Sequence, residues 1–126
     1  FQTHRKAFWV ESEIDLVADL PHWEKLSESE KHFIIHVIAF FAASDGIVVE
    51  NLAARFLKEV QIPEARCFYG WQIMTENTHG ITYSRLIDIY IKNQDEKTKL
   101  FNAIETIPSI KKKGEWAIKW INSETH

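Results

Sequence analysis

The sequence predicts an all-α protein, a bundle of helices, and three observations carry that prediction. Glycine and proline are scarce, four and three in 126 residues, so regular structure should dominate. Two stretches, about 28–60 and 63–92, contain no proline beyond a first position. Each is far longer than the 3 to 10 residues of a usual strand, which outweighs the many β-branched residues of the first. Helix-start signals also stand where each begins.

Residues 1–12 read as an irregular lead-in, and a short helix is read over about 11–20 ("ESEIDLVADL"). "SESE" at 27–30 fits a capping box, Ser27 as N-cap and Glu30 three residues on, and opens the long helix of about 28–60. Residues 33–43 are apolar nearly all round, so this helix should be buried on several sides. Pro63 suits the first turn of the second long helix, with Glu64 beside its N-terminal dipole. Gly70 and Gly80 lie inside it and mark either close packing or a local irregularity. A third helix is expected over about 94–106, stopped by Pro108, and a last one over about 111–122.

A chain of this length makes one small domain. Its 45% hydrophobic and 26% charged residues are ordinary for a soluble globular protein, and a net charge of −3 gives no reason to expect nucleic acid or an anionic membrane as partner. The most apolar run, 33–43, has 11 residues, too few to span a bilayer, and no signal peptide is evident. The single cysteine, Cys67, allows no disulfide within the chain, fits a reducing, intracellular compartment, and is expected to be a buried small residue. Five Trp and eight Phe suggest a large core, or a piece of a larger one. The chain starts without methionine and ends in structure-forming sequence, so a fragment is expected.

The chemistry concentrates in "MTENTHGITY", residues 74–83. At about 100° per residue, Glu76 and His79 are neighbours on adjacent turns, and Tyr83 falls in the same stripe, some 60° wide. Glu-x-x-His at this spacing offers a carboxylate and an imidazole to one metal region, the ligand motif of carboxylate-bridged di-iron bundles. Taken singly, the motif also fits a solvated Glu beside a satisfied His. Asp45, in "FFAASDGIVVENL", is costly in so apolar a helix unless it has a partner. A metal is one solution; a salt bridge or a wet helix face is another. Asp45 facing Glu76 and His79 would make half of a di-iron site. No second Glu-x-x-His exists in the chain, and His32 and His36, at i and i+4, read as packing or surface. Gly46, next to Asp45, would allow another helix to approach closely. Lys111, Lys112 and Lys113 read as a solvated helix start, and Trp116 and Trp120 as a packing pair.

"HVIAFFAASDGIVVENL", "EVQIPEARCFYGWQIMTENTHGITYSRLID" and "LFNAIETIPSIKKKGEWAIKWI" resemble the small subunit of class I ribonucleotide reductase of the eukaryotic and viral type. The likeness covers almost the whole chain from Phe8 and corresponds to the N-terminal-to-middle portion of that longer subunit. It implies that residues 1–126 are part of one ferritin-like di-iron domain. It further implies that Asp45 is the aspartate ligand of the first iron, Glu76 the glutamate bridging two irons and His79 the histidine on the first iron. Tyr83 is then the tyrosine carrying the stable radical. Trp9, in "AFWVESEIDL", is the tryptophan on the electron-transfer path to the large subunit, a role its own spacing does not mark. Ile38, seven residues before Asp45, is a candidate apolar wall for the radical.

The implied function is the radical-generating subunit of ribonucleoside-diphosphate reductase. Two iron ions in a di-iron-oxo centre, activated by O₂ (a manganese–iron pair being the lesser alternative), oxidise Tyr83. The oxidising equivalent passes to the large subunit, which reduces ribonucleotides to deoxyribonucleotides. The implied partners are that large subunit and a second copy in a homodimer, with no nucleic acid and no membrane; the implied location is cytoplasmic. A ferritin-like iron oxidase or storage protein is the alternative, which gives Tyr83 and Trp9 no role. A helical interaction module without metal is the third.

Overall fold

The computed structural model describes residues 1–124, and every regular element among them is helical. The chain runs through α1 (Gln2–Arg5), a 3-10 turn (Glu11–Glu13) and α2 (Leu20–Trp23) into α3 (Glu28–Asn51). A π-helical turn (Leu52–Phe56) and α4 (Leu57–Glu59) continue it, and α5 (Pro63–Tyr90), α6 (Gln94–Phe101), α7 (Ala103–Thr106) and α8 (Pro108–Ile121) follow.

The start of α3 is the predicted capping box: the Ser27 amide donates to Glu30 Oε2 at 2.8 Å and the Glu30 amide to Ser27 Oγ at 3.3 Å. Pro63 is the first residue of α5, with Glu64 in its first turn. No continuous helix forms over 11–20; the range holds only the 3-10 turn and the first residue of α2. Side chains cap turns there instead, Glu13 Oε1 accepting from the Val10 amide and Asp15 Oδ1 from the Ala18 amide, while Ile14 is extended. Such short-range bonds compete with the helical ladder. The lead-in, read as irregular, contains the single turn of α1. The third helix is divided at Asn102, and Thr106 Oγ1 donates to the carbonyls of Lys99 and Asn102 across the break. Pro108 begins α8, three residues ahead of the expected start, because a proline fits a first helical turn as well as it ends one.

Helices α3 and α5 pair antiparallel. Ile35 and the fully buried Ala39 of α3 meet Ile87 and Ile91 at the end of α5, and Leu100, Ala103, Ile107 and Ile110 of α6 to α8 close this core. The same pairing, followed along α3, brings Asp45 level with the middle of α5. Gly114 serves close packing: a Cβ there would meet Ile104 Cγ2 at 3.3 Å and Ile47 Cδ1 at 3.5 Å. At Gly46, Gly70 and Gly80 a Cβ would meet nothing within 4 Å among the described residues, so none of them marks a close approach here. Cys67 is exposed, not buried.

The outer side of α3 departs from expectation. Phe33 is 69% exposed, and Val37, Phe41 and Val48 are exposed as well. The helical stretch Glu28–Glu59 is also long and apolar enough to cross a membrane, a test that residues 33–43 alone do not meet. Its inner side is nonetheless committed to α5 through Ile35, Ala39 and Asp45.

The π-helical turn sets a latch. It carries Arg55 to the last turn of α8, where Nη1 donates to the carbonyls of Trp120 and Ile121 at 2.8 and 2.9 Å, while Nε pairs with Glu59 at 2.8 Å. A cation at a helix C-terminus satisfies carbonyls that have no partner in the helix. Arg55→Ala in the full-length protein is therefore expected to cost about 1–3 kcal/mol, read as a lower urea midpoint at unchanged slope.

Candidate metal centre

Three side chains from two helices converge. Asp45 comes from α3; Glu76 and His79, one turn apart on α5, come from the other side. His79 Nδ1 lies 3.0 Å from Glu76 Oε2 and 3.8 Å from Asp45 Oδ2. One ligand atom from each residue lies within 4.8 Å of the others, a grouping found nowhere else among the described residues. Ligand atoms on one ion with bonds of about 2.1 Å lie no more than about 4.2 Å apart, so small side-chain rotations suffice to close on an ion.

The hydroxyls around the site are satisfied by the helix itself. Thr75, Thr78 and Thr82 donate to the carbonyls of Trp71, Met74 and Thr78. Asp45 Oδ2 is the exception: it is buried and has no hydrogen-bond partner among the described residues. Burial, then the neighbouring Glu76 carboxylate, pushes the Asp45 carboxyl above the usual aspartate range, and His79 only partly opposes them. A buried carboxylate oxygen with no hydrogen bond, beside a second carboxylate and with only the His79 ring 3.8 Å away to oppose it, destabilises the fold by itself. A divalent cation removes that cost, and carboxylates with imidazole are a donor set suited to iron. The residues present fit a metal. Asp45 and Glu76 also line an open cleft of about 550 Å³, bordered by Gly46 and Gly80.

Tyr83 stands one turn beyond His79. Its ring stacks on Phe41 of α3, centroids 5.9 Å apart and planes 12° apart. Burial, then the Asp45 and Glu76 charges, pushes its phenol above the usual range, so it stays protonated and neutral. Phe41 is thus a wall against Tyr83, while Ile38, the candidate read from the sequence, packs on the core cluster. Phe41 lies four residues before Asp45 and Ile38 seven, so both lie near its face of α3.

The lead-in crosses α5 as an aromatic strap. Trp9 stacks on His79, centroids 5.8 Å apart and planes 28° apart, while Phe1 and Phe8 meet Trp71 edge-on. Arg85 of α5 donates to the carbonyl of Glu11 and ties down the strap's far end. Phe41 and Arg85 were not singled out from the sequence. The helical register of Phe41 with Asp45 held the signal for the first; nothing local marked the second. The Trp116 and Trp120 rings meet at 6.3 Å, and Lys113 lies 4.5 Å above the Phe40 ring.

An antiparallel helix pair that presents Asp, Glu and His to one point, with a phenol on the next turn, has the donor arrangement of carboxylate-rich helical bundles. The family of such bundles is identified by comparison: the model of the ribonucleotide reductase small chain matches residues 1–126, and the chain belongs to that family. It is 69% identical over 115 residues to the ribonucleoside-diphosphate reductase small subunit of Dictyostelium discoideum, covering 90% of this chain and 34% of that one. It is 58% identical to the small chain of Trypanosoma brucei brucei, covering 99% of this chain and 37% of that one. To subunit M2 of Rattus norvegicus it is also 58% identical, covering 98% and 33%. The chain spans about a third of the length of the curated relatives it matches.

Proposed function

We propose that this chain is the radical-generating part of a ribonucleoside-diphosphate reductase small subunit and supplies half of its metal site. The observation that carries this reading is the unpartnered Asp45 Oδ2 facing Glu76 and His79, with Tyr83 one turn on. When bound, two iron ions with O₂ supply the oxidising power to take one electron from a phenol. Asp45, Glu76 and His79 hold the metal and fix its distance from Tyr83. Tyr83 gives up an electron together with the proton on its hydroxyl oxygen and becomes a neutral phenoxyl radical. Phe41 stacks against that ring with an offset and shields part of it from water and reductants. Trp9, stacked on His79, offers a π-system between the metal face and the outside of the protein. The oxidising equivalent leaves by that route for the large subunit, which reduces ribonucleotides in the cytoplasm.

The exposed apolar side of α3 belongs to the same reading. The remaining length of the subunit and its partner copy in a homodimer cover it, and the second carboxylate and histidine set enters through the cleft beside Asp45. The test is to load the full-length protein with ferrous ion and oxygen and record its electron paramagnetic resonance. A tyrosyl signal supports the reading; iron bound without one favours the oxidase or storage alternative.

A further inference from the structure

We propose that His32 and His36 form a second metal site, which takes a divalent ion of the zinc class. It stands apart from the radical function and does not depend on it. The two residues lie at i and i+4 on α3, the spacing by which one helix face presents two imidazoles to one ion. Their ring centroids are 4.0 Å apart with planes 34° apart. His36 Nδ1 lies 2.7 Å from the carbonyl oxygen of His32. A carbonyl oxygen only accepts, so Nδ1 carries the proton, and Nε2 of the neutral ring keeps an in-plane lone pair. A backbone carbonyl holding the distal nitrogen is how proteins fix a metal-ligating histidine in its tautomer. No hydrogen bond or ion pair engages the His32 ring among the described residues.

Both rings line a cleft of about 590 Å³ between α3, the chain after α2 and the first turn of α6. Glu24, Glu28 and Glu96 line it too. Glu28 is held by Lys31 Nζ at 3.1 Å, whereas the carboxylates of Glu24 and Glu96 have no ion pair among the described residues. Two imidazoles as the fixed pair, one long glutamate of the same cleft turned towards them and water to complete the shell make a donor set for Zn²⁺. His36 precedes Asp45 by nine residues, about 14 Å along the helix axis, so one ion cannot bridge the two sites. A bound ion would tie α3 to α6 or to the segment after α2.

The test uses the full-length protein with iron already loaded. It is equilibrated with Zn²⁺, and both metals are measured per chain by elemental analysis, with His32→Gln, Glu96→Gln and His32→Gln/His36→Gln alongside. The expected result is one zinc per chain beyond the iron, weakened at least about tenfold by His32→Gln and lost in the double variant, with iron unchanged. No zinc bound by the parent protein, or zinc held equally tightly by the double variant, overturns the proposal; the rings then merely stack. His36 is half-buried, so if the double variant loses iron through misfolding, the exposed His32→Gln decides by the same criterion.

Discussion

Replacing His79 by alanine in the full-length protein is expected to strip most of its iron. The imidazole is the one nitrogen in a cluster of three ligands, and it faces both carboxylates. Residues that merely orient a metal ligand cost about 10–100-fold in affinity when removed, so loss of a ligand itself should cost more. Asp45→Asn should lower iron comparably, and for a separable reason. Asp45 Oδ2 is a buried charge with no hydrogen-bond partner, so the metal-free Asp45→Asn protein should unfold at a higher temperature than the metal-free parent. Iron lost while the apo fold gains stability is the signature of a site built for a cation at the fold's expense. Iron content unchanged in His79→Ala would sink the ligand assignment. An Asp45→Asn protein less stable without metal would mean that the carboxylate has a structural partner after all.

That double effect explains why the site was legible in the sequence. Asp45 stood out as a charge in an apolar helix, and Glu76, His79 and Tyr83 shared a stripe that helix periodicity alone defines. Both signals are local, and the antiparallel α3–α5 pairing brought them together. Other features depend on tertiary neighbours, which periodicity does not report. Apolar residues all round α3 implied burial on several sides; among the described residues α5 and α6 to α8 cover two of them, and the side bearing Phe33, Val37 and Val48 stays exposed. Phe41 and Ile38 share nearly one register with Asp45, and periodicity alone does not say that the Phe41 ring is the one stacked on Tyr83. The break at Asn102 goes with side-chain hydrogen bonds to nearby carbonyls, and the π-helical turn at Leu52–Phe56 goes with the Arg55 bonds to α8; composition reveals neither. Trp9 lay in a stretch without periodicity, so only its stacking on His79 ties it to the centre.

Tyr83→Phe separates metal binding from radical formation. The substitution removes one hydroxyl that makes no hydrogen bond among the described residues and keeps the ring against Phe41. Iron content and fold should therefore be unchanged. The phenylalanine ring has no O–H to release a proton as an electron leaves, so the tyrosyl signal should vanish entirely, and reductase activity with the large subunit should vanish with it. Phe41→Ala is the companion variant. It leaves the hydroxyl but opens one face of the ring to water and reductants. Iron should stay and the radical should form, then decay faster than in the parent protein. A signal that survives Tyr83→Phe would place the radical on another residue. No signal in the parent protein, with iron bound, would leave the phenol a packing group and move the whole assembly to iron oxidation or storage. On the proposed reading the two variants divide the work of one aromatic pair: Tyr83→Phe tests where the unpaired electron sits, and Phe41→Ala tests what sets its lifetime.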